Sequence, residues 1–468
     1  MTTSPDVPTG LAAIFKAYDI RGVVPDQLGP DTARRIGAAF AAETGAAAVV
    51  VGHDMRTSSP DLAAAFAAGV TASGVDVVAI SLASTDMLYF ASGALDLPGA
   101  MFTASHNPAR YNGIKLCRAG ARPISESSGL AEIRDLAGGD APEPVGSPGE
   151  ITERDMLAEY ARYLHGLVDL SGGAGGMRPL TVAVDAGNGM AGHTVPPVFT
   201  GTPVSVVPLY FELDGTFPNH EANPLDPDNL RDLQALVRSS GADCGLAFDG
   251  DADRCFLVDE RGEPVAPSAL TALIASRELA REPGASIIHN LISSRAVAEV
   301  VREHGGTPIR TRVGHSFIKA RMAETGAVFG GEHSAHFYFR DFWFADSGML
   351  AALHALAALG RSGGTLSELM AEFARYAASG EINSVVDDQA AALATVEEAY
   401  AGRAGVRLDW LDGLTVAGDD WWFNVRPSNT EPLLRLNVEA SDEQQVATVR
   451  DDVLDLLRPQ TGDRKAAW

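Results

Sequence analysis

A chain of 468 residues, 46% hydrophobic and 21% charged, has an ordinary globular composition and roughly three times the usual domain length, so more than one core is expected. Its 61 acidic residues against 36 basic ones leave a net charge of −25, a field that repels nucleic acid and anionic lipid, and no run of Lys or Arg overrides it. Three scattered cysteines exclude a disulfide framework or a C-x-x-C zinc site, and the longest apolar stretch, Gly348 to Gly360, is too short to cross a bilayer.

With a polar N-terminus that lacks the features of a secretory signal, these points predict a cytoplasmic protein that binds neither nucleic acid nor membrane. An anionic substrate would need Arg and Lys collected locally against the global field.

In chain order, Ala47 to Val51 reads as a strand. Pro60 to Ala72 reads as a helix with Ser59 as N-cap and Asp61 in its first turn, and Val75 to Ile80 as the next strand. The same alternation of β-branched and Ala-rich runs continues, which is α/β patterning. Met101 to Phe102, Val182 to Val184, Gly245 to Phe248 and Ser286 to His289 are apolar runs that each stop at a polar cluster, the place where α/β sheets bind ligands. Gly138 to Gly149 reads as a linker, and Leu170 to Pro179 and Arg361 to Thr365 as glycine-rich breaks. Trp421 to Val425 and Leu433 to Val438 pair as strands of a small, separate α+β unit. Its helix begins near Asp442, with Ser441 as N-cap and Gln444 completing a capping box. No short fixed period is present, which excludes solenoids and propellers.

Four polar clusters carry the chemistry. Thr103-Ala104-Ser105-His106-Asn107-Pro108, with Lys115 beyond it, is either a polar strand-to-helix loop or a serine able to carry a phosphoryl group offset by His106 and Lys115. No G-x-S-x-G elbow supports a serine hydrolase. Asp249, Asp251 and Asp253 alternate after an apolar run, a costly arrangement without a hard cation such as Mg²⁺. An EF-hand loop fails there, because Arg254 stands where the turn demands glycine. Gly330-Gly331-Glu332-His333-Ser334-Ala335-His336 is either a glycine-led turn or a set of hydrogen-bonding groups for sugar hydroxyls. Arg426-Pro427-Ser428-Asn429-Thr430-Glu431-Pro432, with Arg435 beyond, reads as a proline-bounded turn or a cradle for a phosphate dianion.

Taken with Phe15-Lys16-Ala17-Tyr18-Asp19-Ile20-Arg21-Gly22, these clusters make the chain resemble the α-D-phosphohexomutase superfamily, in its phosphomannomutase/phosphoglucomutase branch. Five motifs occur in the family's order from residue 15 to residue 435. The resemblance implies four domains around a central cleft, three α/β domains of shared topology and a C-terminal TATA-binding-protein-like α+β domain. The expected bounds are 1–148, 149–258, 259–375 and 376–468.

The resemblance further implies that Ser105 is the phosphoserine and, with Asp249, Asp251 and Asp253, a Mg²⁺ ligand, supported by Arg254. Glu332, Ser334 and His336 would hold sugar hydroxyls. Arg426, Ser428, Asn429, Thr430 and Arg435 would bind the non-reacting phosphate, with Tyr18 and Arg21 near the serine. His106, Lys115 and His315 are candidates for the catalytic set, His315 for proton transfer. The implied activity interconverts a hexose 6-phosphate and 1-phosphate through a hexose 1,6-bisphosphate, which also serves as activator, in a monomer or weak dimer. Mannose is the expected sugar, and the pairing of Gly331 to His336 with Gly215 to His220 resembles the mannose/glucose branch more than the glucosamine branch. Glucose or dual specificity is the first alternative, with a glucosamine mutase or a metal-dependent phosphatase behind it. One departure is the segment Ile288 to Ser294, which lacks the lysine that some bifunctional members carry.

Overall fold

A computed structural model describes residues 10–139, 147–172, 176–428 and 433–458. Its β-branched runs pair into four sheets. The first contains β1 (Ile20–Val23), β2 (Ala48–His53), β3 (Asp76–Leu82), β4 (Gly99–Phe102), β5 (Tyr111–Arg118), β6 (Arg122–Pro123) and β7 (Ile151–Glu153), in the order β1-β5-β4-β2-β3-β7 with β6 on β5. The second contains β8 (Leu180–Asp185), β9 (Val204–Leu209), β10 (Cys244–Phe248), β11 (Cys255–Val258) and β12 (Pro264–Val265), ordered β12-β11-β10-β8-β9. The third contains β13 (Ser286–Asn290), β14 (Thr307–Thr311), β15 (Phe329–Gly331), β16 (Phe337–Phe339) and β17 (Ala345–Asp346), ordered β14-β13-β15-β16-β17. The fourth contains β18 (Ala377–Val385), β19 (Arg407–Asp409), β20 (Leu414–Ala417), β21 (Trp421–Pro427) and β22 (Leu433–Ala440), ordered β18-β22-β21-β20-β19 and antiparallel throughout.

The first three sheets repeat one plan. A central strand (β2, β8, β13) has parallel neighbours on both sides, and the second of these (β4, β10, β15) is followed by an antiparallel strand (β5, β11, β16). The chain therefore returns three times through equivalent loops at the carboxyl ends of parallel strands, where such sheets leave a crevice for ligand. The sheets themselves run past two of the boundaries expected from sequence, β7 lying beyond residue 148 and β12 beyond residue 258.

Two caps differ from expectation. The helix Ser59–Ala72 takes Ser58 as its N-cap, because the Ser59 hydroxyl is drawn away to the buried Asp54 carboxylate at 2.6 Å. At the C-terminal helix Glu443–Leu457, Asp442 and not Ser441 is the cap, its carboxylate accepting from the Gln445 amide at 2.8 Å.

A continuous apolar core joins the first three units. The helix Thr85–Leu95, Tyr163 and Trp343 meet there, with Tyr163 stacked on Trp343 at 5.1 Å between ring centroids. The fully buried Asp86 accepts from Ser84, Tyr160 and Ser347, one donor from each of three units. By contrast, the C-terminal unit has its own core around Phe423, Leu434 and Val453, and a small patch of Leu291, Ile292 and Trp422 lies where it meets the third unit. Around that patch, the contacts between the two units are polar, among them the ion pair of Arg310 with Asp409 and the Val313 amide on Asp412 at 3.1 Å. No helix among the described residues is long and apolar enough to cross a membrane.

Candidate active site

The three equivalent loops, 103–110, 249–254 and 332–336, each place one non-glycine residue in the left-handed region: Ser105 at φ 49°, Ala252 at 59° and Ala335 at 65°. Such conformers cost of order 1–2 kcal/mol and persist where the surroundings over-determine them. Around Ser105 the determinant is Arg56. Its side chain is completely buried and donates to four carbonyls of one loop: Ser105 at 2.8 Å, Asn107 at 2.6 Å, and Pro108 and Tyr111 at 3.0 Å. Asp54 pairs with the same guanidinium at 3.3 Å, and the Phe217 ring lies 5.0 Å from it.

The first and second loops converge. The Ser105 hydroxyl donates to Asp249 Oδ2 at 2.7 Å and lies 3.2 Å from His106 Nδ1. Gly250 permits that approach, since a Cβ there would stand 2.5 Å from the Ser105 carbonyl oxygen. Arg254 donates to Asp249 through Nε at 2.9 Å. Lys115, from β5, reaches Asp251 at 2.6 Å and Asp253 at 2.5 Å, and Thr85 donates to Asp251 at 2.6 Å.

Oxygens of Asp249, Asp251 and Asp253 lie within 4.8 Å of one another and all three side chains are buried. Asp251 Oδ1 and Asp253 Oδ1 are buried without a hydrogen-bond partner. Burial raises the pKa of Asp249, the like charges of Asp253 and Asp251 add to the rise, and Arg254 offsets part of it. Orphaned oxygens, crowded carboxylates and an all-oxygen donor set fit a hard divalent cation. Burial disfavours the Lys115 charge, but Asp251 and Asp253 outweigh it and hold the ammonium protonated. Burial pushes the His106 pKa well down, helped by Arg254 and Arg21, so its imidazole is neutral at pH 7.

On the third loop, Glu332 is buried and accepts from the Gly314 amide at 3.1 Å, Asn290 at 3.3 Å and Tyr338 at 2.7 Å. Ser334 is half-buried in the same turn. His336 Nδ1 lies 3.5 Å from Asp346, which Lys319 pairs at 2.6 Å. A cavity borders Tyr18, Arg21, Ser105, Lys115, Asp253 and His336 together. Arg21 bonds Asn107 and, at 2.5 Å, Asp19. Tyr18 reaches across to the third unit, its hydroxyl 3.0 Å from where a Cβ on Gly314 would stand. His315 begins the helix His315–Thr325, and its side chain lies outside the described residues.

In the fourth unit Arg426 and Arg435 both grip Glu381, at 2.7 and 3.1 Å, and Arg435 donates to Ser428 at 3.4 Å. Asn429 and Thr430 lie outside the described residues. Sequence reasoning missed Arg56, Asp54, Thr85, Asp86, Lys319, Asp346 and Glu381. The first two follow the strand run Ala47 to Val51 and so carried the same signal as the four clusters, a polar stop after an apolar strand.

Three units of one α/β plan and an antiparallel fourth, with a serine beside a carboxylate triplet on the first two and paired arginines on the fourth, fit a sugar-phosphate mutase of the phosphohexomutase class. The chain belongs to the phosphoglucomutase/phosphomannomutase family. Residues 12–140, 158–262 and 266–376 match its alpha/beta/alpha domains I, II and III, and 381–456 its C-terminal domain. It is 44% identical over 450 residues to a protein named phosphohexose mutases from Xanthomonas campestris pv. campestris, covering 95% of this chain and 99% of that one. A phosphomannomutase from Escherichia coli is 40% identical over 454 residues, covering 95% and 99%. The solved structure of a phosphoglucomutase/phosphomannomutase family protein from Burkholderia thailandensis superposes with a TM-score of 0.85 at 35% identity, covering 96% of this chain and 97% of that one. The protein is thus an isomerase that moves a phosphoryl group within a hexose phosphate.

Proposed function

We propose that the protein is a Mg²⁺-dependent phosphomannomutase, interconverting mannose 6-phosphate and mannose 1-phosphate, and that Ser105 carries the phosphoryl group. The observation that bears most weight is the 2.7 Å contact between the Ser105 hydroxyl and Asp249, at the edge of three buried carboxylates. The relatives named phosphomannomutase support the choice of sugar.

Asp249, Asp251 and Asp253 would hold the cation, next to the Ser105 oxygen. Bound there, Mg²⁺ supplies Lewis-acid polarisation of the phosphoryl oxygens and offsets their charge. The P–O bond to Ser105 breaks as a hexose hydroxyl oxygen forms its own bond to phosphorus, and the hydroxyl proton passes to the Ser105 oxygen that leaves. A hexose 1,6-bisphosphate results. Lys115 and Arg254 balance the charge on the moving group. The bisphosphate turns end for end, and the Ser105 oxygen attacks the other phosphate as the P–O bond to the sugar breaks, the Ser105 proton passing to the sugar oxygen that leaves. Arg426, Ser428, Asn429, Thr430 and Arg435 hold whichever phosphate is not reacting, and Glu332, Ser334 and His336 the ring hydroxyls. Swinging of the fourth unit onto the cleft excludes water, which would otherwise take the phosphoryl group.

Turnover of mannose 1-phosphate, glucose 1-phosphate and glucosamine 1-phosphate, each with Mg²⁺ and a hexose 1,6-bisphosphate activator, tests the reading. The highest kcat/KM is expected for the mannose substrate, without release of inorganic phosphate. Preference for either other sugar, or steady phosphate release, would refute it.

A further inference from the structure

Away from the catalytic loops, a second cleft of about 500 Å³ opens between the third and fourth units. Its lining collects Arg295, Arg302, Arg310 and Arg407, in a chain whose net charge is −25. Such a concentration of one sign runs against the composition of the whole molecule and marks a place built for negative charge. The arginines come from both sides. Arg310 stands on β14, paired in register with His289 on β13, and Arg302 on the helix Arg295–Glu303, while Arg407 stands on the edge strand β19 of the fourth sheet.

Elsewhere on the surface, arginines such as Arg340 and Arg375 pair with carboxylates, while others such as Arg122 and Arg403 donate only to backbone carbonyls. Here, Arg302 and Arg407 meet no carboxylate among the described residues; Arg302 donates only to its own helix, at the Ala298 carbonyl. Arg310 pairs with Asp409 across the two units, and Arg295 pairs with Glu439 at 3.8 Å and donates to the Asp419 carbonyl at 2.9 Å. The cleft borders Glu299 as its single carboxylate, and Arg375 and Tyr376 already hold that group from outside the cleft wall. His289 is buried to 6% exposure, with Nδ1 on the Asn290 carbonyl. Its pKa is lowered to about 4 by burial, and the charges of Arg310 and Arg302 add to this, so its imidazole is neutral at pH 7. Leu291, Pro308 and the ring of Trp422 form an apolar wall beside these cations.

We propose that this cleft binds a small molecule bearing a pyrophosphate group, held by arginines of the third and fourth units at once. Guanidinium forks match phosphate oxygens in pairs, and Arg302 and Arg407, one from each unit and neither paired with a carboxylate among the described residues, offer one fork to each phosphate of a pyrophosphate. The apolar wall suits a ring attached to the pyrophosphate, as in a nucleoside diphosphate. Because β19 and the cradle strand β21 belong to one sheet, such a ligand also ties the cradle to the third unit.

The test is calorimetric titration of the full chain with inorganic pyrophosphate, and separately with ADP, in buffer containing EDTA. Wild type should show a binding event that weakens with added salt. That event should survive Arg426→Gln, which damages the catalytic cradle, and weaken at least about tenfold in the exposed double variant Arg302→Gln/Arg407→Gln, in keeping with loss of charge-assisted contacts. The double variant should keep wild-type mutase activity. Tighter binding of ADP than of pyrophosphate assigns the apolar wall to a nucleoside, and equal binding assigns the site to the pyrophosphate alone. Titrations of the double variant that match wild type, or no event remaining in Arg426→Gln, would overturn the proposal.

Discussion

The buried guanidinium of Arg56 donates to the backbone carbonyl of Ser105 at 2.8 Å, and its other contacts tie the same loop at Asn107, Pro108 and Tyr111. A left-handed serine on a polar loop has no intrinsic reason to keep one orientation. Arg56 supplies it without touching the space where substrate would sit. Lysine cannot fill a five-donor fork, so Arg56→Lys is expected to lower kcat by about 10²-fold through misplacement of the Ser105 oxygen, with KM changed little. Steady-state kinetics check this; a wild-type kcat would show that the loop holds itself.

The carboxylate triplet predicts a stability effect as well as an activity effect. Three buried aspartates repel one another until a cation joins them, and a ligand that binds only the folded state raises its melting temperature. Added Mg²⁺ should raise Tm in wild type and fail to do so in Asp251→Asn, while EDTA should abolish turnover reversibly. Equal Mg²⁺ responses in the two proteins, read by thermal scanning, would argue against a cation at these residues.

Asp86 makes stability depend on pH in a direction opposite to that of most carboxylates. Burial pushes its pKa from the ordinary 3.8 up to about 6, although the hydroxyls of Ser347, Ser84 and Tyr160 all favour the anion. Between those two values the folded chain holds more protons at this site than the unfolded chain. Its contribution to stability is therefore greatest at low pH, declines as pH rises across the window, and stays low above it. Asp86→Asn removes the titration. The stability difference between the two proteins, from urea unfolding at a series of pH values, should change by up to about 3 kcal/mol between about pH 4 and pH 6. Parallel curves would mean that Asp86 is not held neutral.

Arg426 and Arg435 share Glu381 and would be the groups that meet a phosphate dianion. Arg426→Gln should raise KM for hexose phosphate by roughly 10- to 100-fold, the loss of about 1.5–3 kcal/mol from a hydrogen bond to a charged group. An unchanged KM would place the non-reacting phosphate elsewhere.

Much of this site is legible in the residue order, because α/β sheets expose ligand-binding groups where an apolar strand stops. Ser105, the aspartates, Glu332 and the Arg426 loop each follow such a stop. What stays hidden is whatever depends on long-range return of the chain. Nothing local tells that Arg56 would span to carbonyls beyond residue 104, that Lys115 would bridge two aspartates of another unit, or that Glu381 would lie between two arginines of β21 and β22. The caps fail for a related reason. Ser59 is a good N-cap by type, yet a buried carboxylate five residues earlier takes its hydroxyl.

The central claim is that the Ser105 oxygen is the phosphoryl carrier, and peptide mapping by mass spectrometry tests it most directly. After incubation with a hexose 1,6-bisphosphate and Mg²⁺, the peptide containing Ser105 should carry a single phosphate, and dilution into isotopically labelled hexose monophosphate should exchange it at the rate of turnover. Phosphate found on another residue, or none on Ser105 in a fully active preparation, would contradict the account.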